Sequence, residues 1–108
     1  AASLIADLFG QRLMLASTVA SSESRPSLLR EAGWGTSASS FQKRFDAGTP
    51  EAELLGWLSE NSFELVSANS ASRRIRGLPC NELVEVSWIA VDGVIRESNA
   101  VVHEAGCL

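Results

Sequence analysis

The amino-acid sequence predicts an α+β fold, in which N-terminal helices pack on a three- to four-stranded antiparallel meander as two layers. Two observations predict it. Apolar residues recur at helical spacing in the first part of the chain, whereas the last third alternates as a β-hairpin does. A length of 108 residues suits one domain with one core. We expect a single domain over 1–108, with a helical, serine-rich part at 1–47 and a helix plus sheet at 48–108.

The N-terminal part predicts three short helical segments. The first has Ser3 as its N-cap and an apolar stripe formed by Leu4, Ile5, Leu8, Phe9, Leu13 and Ala16. A second would begin at Pro26 and end at Gly33. A third would place Phe41 and Phe45 on one side of one or two turns. Because the first stripe must be covered, it predicts packing on the chain's own sheet or on a second copy, which would give a homodimer.

A longer helix is predicted at about 50–60. Thr49 is a good N-cap, and Pro50 suits the first helical position. Asn61 can adopt the left-handed conformation that ends a helix. The acidic first turn and the apolar stripe are formed by Glu51, Glu53, Leu54, Trp57 and Leu58.

The sequence predicts strands at 63–67, 73–76, 82–90 and 94–103, with a break at 77–79. The third strand alternates most clearly. Its apolar face is formed by Val84, Val86 and Trp88, and its solvent face by Glu82, Glu85 and Ser87.

Asp92-Gly93 predicts the turn of the last hairpin, for which two registers are open. A two-residue turn would place Glu97 and Asn99 beside Trp88 and Val86. A three-residue turn over 91–93, with a bulge at Gly93, would instead place on that face Arg96, Ser98, Ala100 and Val102. We expect the second register, because burying a glutamate without a partner is costly.

The two cysteines lie at the open end of this hairpin. Cys80 precedes the third strand and Cys107 follows the fourth, so we expect a structural disulfide. In the chain-entropy model a closed loop of about 26 residues adds roughly 3–4 kcal/mol of stability. Two unrelated free thiols are an alternative. A zinc site with His103 and Glu104, or a thiolate–imidazole pair of Cys80 with His103, is a further alternative, although the spacing matches no common zinc pattern.

Two other features are candidates for ligand or partner contact. Arg73, Arg74 and Arg76 form the basic cluster of the chain. On a strand Arg74 and Arg76 would share one face and could bind a carboxylate or phosphate, or they could simply protect a sheet edge. Trp34 lies between two glycines, where it could anchor a partner or fold back onto the core.

Composition and motifs narrow the function classes. The net charge of −4 argues against nucleic-acid binding, which needs a basic face. No run of about twenty apolar residues predicts a membrane span. No phosphate-binding loop, nucleophile elbow or metal-binding helix motif occurs, so we expect no cofactor, no metal and no catalytic residue.

A family resemblance covers residues 48–108. It is carried by Gly48-Thr49-Pro50-Glu51, Leu54 through Leu58, Asn61-Ser62-Phe63, Leu78-Pro79-Cys80, Val86-Ser87-Trp88, Asp92-Gly93 and Ala105-Gly106-Cys107-Leu108. This pattern resembles small exported bacterial domains of the outer-membrane assembly lipoprotein and β-lactamase-inhibitor-like type, with Ser62 in place of the expected glycine. The resemblance implies a protein-binding or envelope-structural role, periplasmic or secreted, although no signal peptide is visible.

We therefore expect a non-enzymatic binding or structural domain of the bacterial cell envelope with a protein partner. The alternative is a small thiol-active or metal-dependent enzyme that uses Cys80, Cys107 and His103.

Overall fold

The computed structural model describes residues 23–108, so the predicted first helix and its homodimer contact lie outside the described residues. Four antiparallel strands follow two α-helices, in the spatial order β1-β2-β3-β4, which confirms an α+β fold with a meander. The elements are a 3-10 turn at Ser27–Leu29, α1 at Ser39–Arg44, α2 at Glu51–Glu60, β1 at Glu64–Ser67, β2 at Ser70–Ile75, β3 at Cys80–Val91 and β4 at Val94–Cys107.

The buried core combines one face of the sheet with apolar residues of the helical segments. The sheet contributes Ala71, Ile75, Val84, Val86, Trp88, Ile95, Ala100 and Val102. The rest of the cluster is Leu29, Ala32, Ala38, Phe41, Phe45, Leu54, Leu58 and Phe63. The predicted pair of Phe41 and Phe45 is confirmed, because both rings are fully buried with their centroids 5.0 Å apart. Trp57 packs edge-on against both rings.

Helix α2 begins one residue later than predicted. Thr49 is not its N-cap, since Pro50 occupies that position in an extended conformation and no side chain caps the helix. The reason is a tertiary contact with β4. The Thr49 carbonyl accepts a hydrogen bond from the Ile95 N–H at 2.8 Å, and Pro50 forms a β-bridge with Val94. Both residues therefore stay extended alongside β4. The acidic first turn of Glu51 and Glu53 is confirmed.

The same helix ends at a left-handed residue, but this residue is Ser62 (φ 64°) and not the predicted Asn61 (φ −103°). The Ser62 N–H donates to the Ser59 carbonyl at 3.2 Å, and the Phe63 N–H donates to the Leu58 carbonyl at 2.9 Å. These two hydrogen bonds form a Schellman motif, which satisfies carbonyls that the helix leaves without partners. Asn61 stabilises the end differently, because its side-chain amide donates to the Trp57 carbonyl.

The last hairpin has the predicted cross-strand pairs but a different turn. Asp92 and Gly93 both have positive φ and form a two-residue connection between the paired Val91 and Val94. The register shifts farther along, where Ala90 faces Ile95 and Ile89 faces Glu97. The bulge is therefore at Arg96 and not at Gly93.

This bulge sets which β4 residues enter the core. Ala100 pairs with Val86 and Val102 pairs with Val84, as predicted, and all four are buried. The prediction for Arg96 is wrong, since this residue is exposed and the buried residue near the turn is Ile95. The bulge allows both the tight turn and the burial of small apolar residues beside Trp88.

The edge of β4 that faces away from β3 is covered up to Val102 by the chain between residues 35 and 51. The amides of Gly35 and Ala38 donate to the carbonyls of Val102 and Ala100. Nearer the turn, the edge is bonded to Gly48, Thr49 and Glu51. The segment 35–51, which contains α1, is therefore fixed to the sheet by main-chain hydrogen bonds as well as by side-chain packing.

The left-handed Ser62 gives a test of the helix end. We expect Ser62→Gly to stabilise the protein by about 0.5–1 kcal/mol, because glycine adopts positive φ without the steric cost that serine meets. Urea unfolding of both proteins measures the difference. Ser59→Gly, one turn earlier on the exposed helix surface, is the matched control and should be destabilising by a similar amount. Equal destabilisation by both substitutions would contradict the assigned role of Ser62.

Candidate interaction surface

The sulfur atoms of Cys80 and Cys107 are joined in a disulfide, which confirms the predicted bridge. The bridge closes the open end of the hairpin, where the two cysteines are cross-strand partners. Neither sulfur is a free thiol in this form. His103 lies beside Glu85 instead, with its Nε2 3.0 Å from a carboxylate oxygen, and both side chains are exposed. Within residues 23–108, no group of three potential metal ligands comes together.

Glu82 is the centre of a polar cluster on the inner side of the sheet, so its predicted place on the solvent face is wrong. The Arg25 guanidinium donates to both of its carboxylate oxygens, at 2.9 and 2.6 Å. The Trp34 indole N–H donates to the same carboxylate at 2.6 Å. The hydrogen bonds from Arg25, and to a smaller extent that from Trp34, lower the pKa of Glu82 against the opposing effect of partial burial.

The predicted helix from Pro26 to Gly33 is wrong in extent, since only the 3-10 turn Ser27–Leu29 forms, and Arg25 binds the loop that follows it. Its guanidinium donates to the carbonyls of Leu29, Arg30 and Ala32 at 3.0, 3.2 and 2.7 Å. All three carbonyls accept from one nitrogen of this guanidinium, which holds residues 29–32 as a loop. One arginine thus fixes the loop and joins it to Glu82 on β3.

The predicted basic cluster is divided between structural and exposed positions. Arg73 and Arg76 both approach Glu23, each at 3.7 Å, and Arg73 also donates to the Asn61 carbonyl. The Arg76 backbone N–H, with smaller contributions from the charges of Arg73 and Arg76, lowers the pKa of Glu23. Arg74 is exposed and forms no ion pair with any residue described. A ligand for these arginines stays a prediction.

Trp34 combines exposure with a fixed orientation. Its side chain is 49% exposed, although its indole N–H is bonded to Glu82. It is therefore neither inserted into the core nor free to rotate. The role of a partner anchor stays a prediction for this residue.

The sheet surface opposite the core, here called the outer face, carries exposed and half-buried side chains. Strand alternation and the pairing register arrange them in rows across the strands. The row nearest the disulfide is Arg74, Leu83 and His103, and the next rows are Glu64, Ser72, Glu85 and Val101, then Ser70, Ser87 and Asn99, then Ile89 and Glu97. Toward the hairpin turn, Ile89, Val91 and Val94 remain 48%, 45% and 38% exposed.

The sequence alone is sufficient to assign only some of the residues of the outer face. The alternation along β3 is sufficient to assign Glu85 and Ser87 to it. The cross-strand partners of these residues depend on the bulge at Arg96, which no local signal specifies. Arg25 and Glu23 were missed altogether, since each acts on a residue more than fifty positions away.

The comparisons with known proteins give no relative: no family model, curated protein or solved structure matches this chain. No helix in the part of the chain that the structure describes is long and apolar enough to cross a membrane.

Removal of the Arg25–Glu82 pair should cost far more stability than removal of an exposed pair. The side chains of Arg25 and Glu82 are only 17% and 15% exposed. We expect Arg25→Ala to lower the free energy of unfolding by about 2–3 kcal/mol, because a partly buried carboxylate loses its charged donors.

The matched control is the Arg44–Glu53 pair, whose side chains are 49% and 47% exposed. Arg44→Ala should change the free energy of unfolding by less than about 1 kcal/mol. Urea unfolding at neutral pH compares the two variants. Equal losses would show that Arg25 does not hold the loop against β3.

Proposed function

We propose that this protein is a non-enzymatic binding or structural domain of the bacterial cell envelope, and that the outer face binds a protein partner. The observation that carries the proposal is the mixed chemistry of this face. Exposed apolar side chains at Ile89 and Val91 lie on the same surface as the charges of Arg74 and Glu85. Protein interfaces combine an apolar centre with polar surroundings in this way.

The proposal includes a two-layer arrangement in which the helical segments pack on the opposite side of the sheet. The burial of Phe41, Leu54 and Leu58 in one cluster with Val84 and Val86 supports this arrangement. Such an arrangement leaves the outer face for recognition, while the helices and the inner face supply stability.

The proposed compartment rests on the disulfide and on the resemblance of residues 48–108 to small exported domains. Disulfides persist in the periplasm and outside the cell, whereas cytosolic thiols are kept reduced. The bridge between Cys80 and Cys107 therefore supports a periplasmic or secreted location. Membership in the lipoprotein or inhibitor-like group is part of the same proposal.

A mass measurement separates the structural disulfide from the thiol-active alternative. We expect protein from its native source, alkylated without reductant, to show no added alkyl groups, because Cys80 and Cys107 are bonded to each other. Strong reductant under denaturing conditions should expose two thiols. Alkylation of the native protein after mild reductant, at a thiol with a pKa below about 8.5, would favour the redox or metal-dependent enzyme instead.

Site-specific photocrosslinking in the native cells tests the binding surface. We expect Ile89→p-benzoylphenylalanine to give one discrete protein adduct, since Ile89 is exposed on the outer face. Lys43→p-benzoylphenylalanine, exposed on α1, is the control and should give none. The readout is the adduct band on a denaturing gel. Adducts of equal yield from both positions, or none from Ile89, would count against this face as the interface.

A further inference from the structure

We propose a second binding site at the edge of β1 that no residue between 23 and 108 pairs with: it accepts an extended protein segment in which apolar and basic residues alternate, and this segment adds a fifth strand to the sheet. The site is distinct from the apolar part of the outer face at Ile89 and Val91, although Glu64 lies on that face in the row of Ser72. It follows from three features of β1, which are this edge, the apolar groove beside it and its acidic residue. Strand addition is a general mode of peptide recognition in which main-chain hydrogen bonds supply affinity and side-chain pockets supply specificity.

The two edges of the sheet differ in their main-chain bonding. The β4 edge is covered up to Val102 by the chain from Gly35 to Glu51. Strand β1 pairs with β2 on one side, and no residue between 23 and 108 pairs with its other side. The outward main-chain groups of β1 are therefore open to an extended backbone along the whole strand.

An apolar groove runs beside this edge, between α2 and β1. Its volume is about 330 Å³, and it is lined by Leu55, Leu58, Ser59, Phe63 and Leu65. Leu65 is 62% exposed at the rim and pairs with Ala71, whose side chain is buried in the core. A strand added to β1 would place an apolar side chain beside Leu65, where it would cover the groove.

The charge of β1 specifies the neighbouring residue of the added strand. Glu64 is exposed, and by alternation its side chain lies on the opposite face from Leu65. Glu64 forms no ion pair within the described part of the chain. The cross-strand neighbour that best complements Glu64 is a lysine or arginine, next to the apolar residue at Leu65.

This requirement argues against a second copy of β1 as the occupant. The strand reads Glu64-Leu65-Val66-Ser67 and contains no basic residue. Two copies would leave each Glu64 opposite an apolar, polar or acidic residue, so neither charge would be compensated. A partner with alternating valine and lysine supplies both the apolar and the charged contact.

The test uses the full chain and a blocked peptide of about eight alternating valine and lysine residues. Isotope-edited NMR titration should show shifts concentrated at residues 64–67 and around the groove, with Ile89, Val91 and Val94 unchanged. The same peptide with alternate amide nitrogens methylated should bind at least about tenfold more weakly, because it cannot form the hydrogen-bond ladder. This comparison uses the unmodified protein, so it does not depend on the folding of a variant.

Two substitutions test the side-chain contacts. We expect Leu65→Asp to weaken binding about tenfold, because it removes the apolar contact at the rim of the groove. Glu64→Lys should weaken the lysine peptide about fivefold and improve binding of an otherwise identical valine–glutamate peptide. Ile89→Asp, on the outer face, is the matched control and should leave the affinity within about twofold.

Several results would overturn the proposal. These are no binding by the full chain, equal binding of the methylated peptide, shifts centred on Ile89, Val91 and Val94, or concentration-dependent dimerisation through β1 in place of peptide binding. Loss of the outer-face photocrosslink would not affect it, because the two surfaces are tested by different residues.

Discussion

The pairing of β3 with β4 is the constraint on which the rest of the structure depends. It is fixed by a two-residue turn at one end and by the Cys80–Cys107 disulfide at the other. Between them, the bulge at Arg96 moves β4 by one position, so that Ala100 and Val102 enter the core. A slip of one residue would exchange the two faces of β4 and expose these side chains.

The helical segments depend on the same pairing, because the chain from residue 35 to 51 is bonded to the far edge of β4. The Ser98 hydroxyl adds a side-chain bond to the Phe45 carbonyl at 2.7 Å. At the start of α2, Glu51 accepts a hydrogen bond from the Trp88 indole at 2.7 Å. The hairpin therefore positions the elements that cover its apolar face.

Local patterns in the sequence predict much of this fold. The alternation of β3, the stripe of α2 and the positions of the two cysteines each specify their element from neighbouring residues. The errors lie at element ends. Thr49 does not cap α2 because β4, distant in sequence, uses its carbonyl. At the other end of α2 the Schellman motif decides, with Ser62 and not Asn61 as the left-handed residue.

The candidate surfaces were predictable only where alternation and polarity agree. Both place Glu85 and Ser87 on the outer face, and these assignments are correct. For Glu82 they conflict, since its charge favours solvent whereas its position in the strand is in phase with the buried Val84. The structure follows the phase of the strand, because Arg25 and Trp34 bind the Glu82 carboxylate on the inner side. Only tertiary structure supplies that arginine.

The unlike edges of the sheet limit how this molecule could associate with itself. Head-to-tail stacking of strands requires one copy's first edge to meet the next copy's last edge, and here the chain around Ala38 and Gly48 occupies the last edge from Ile95 to Val102. This covered stretch of β4 cannot accept the β1 edge of another copy. A symmetric pairing of two β1 edges would end at two copies, because it leaves no β1 edge for a third.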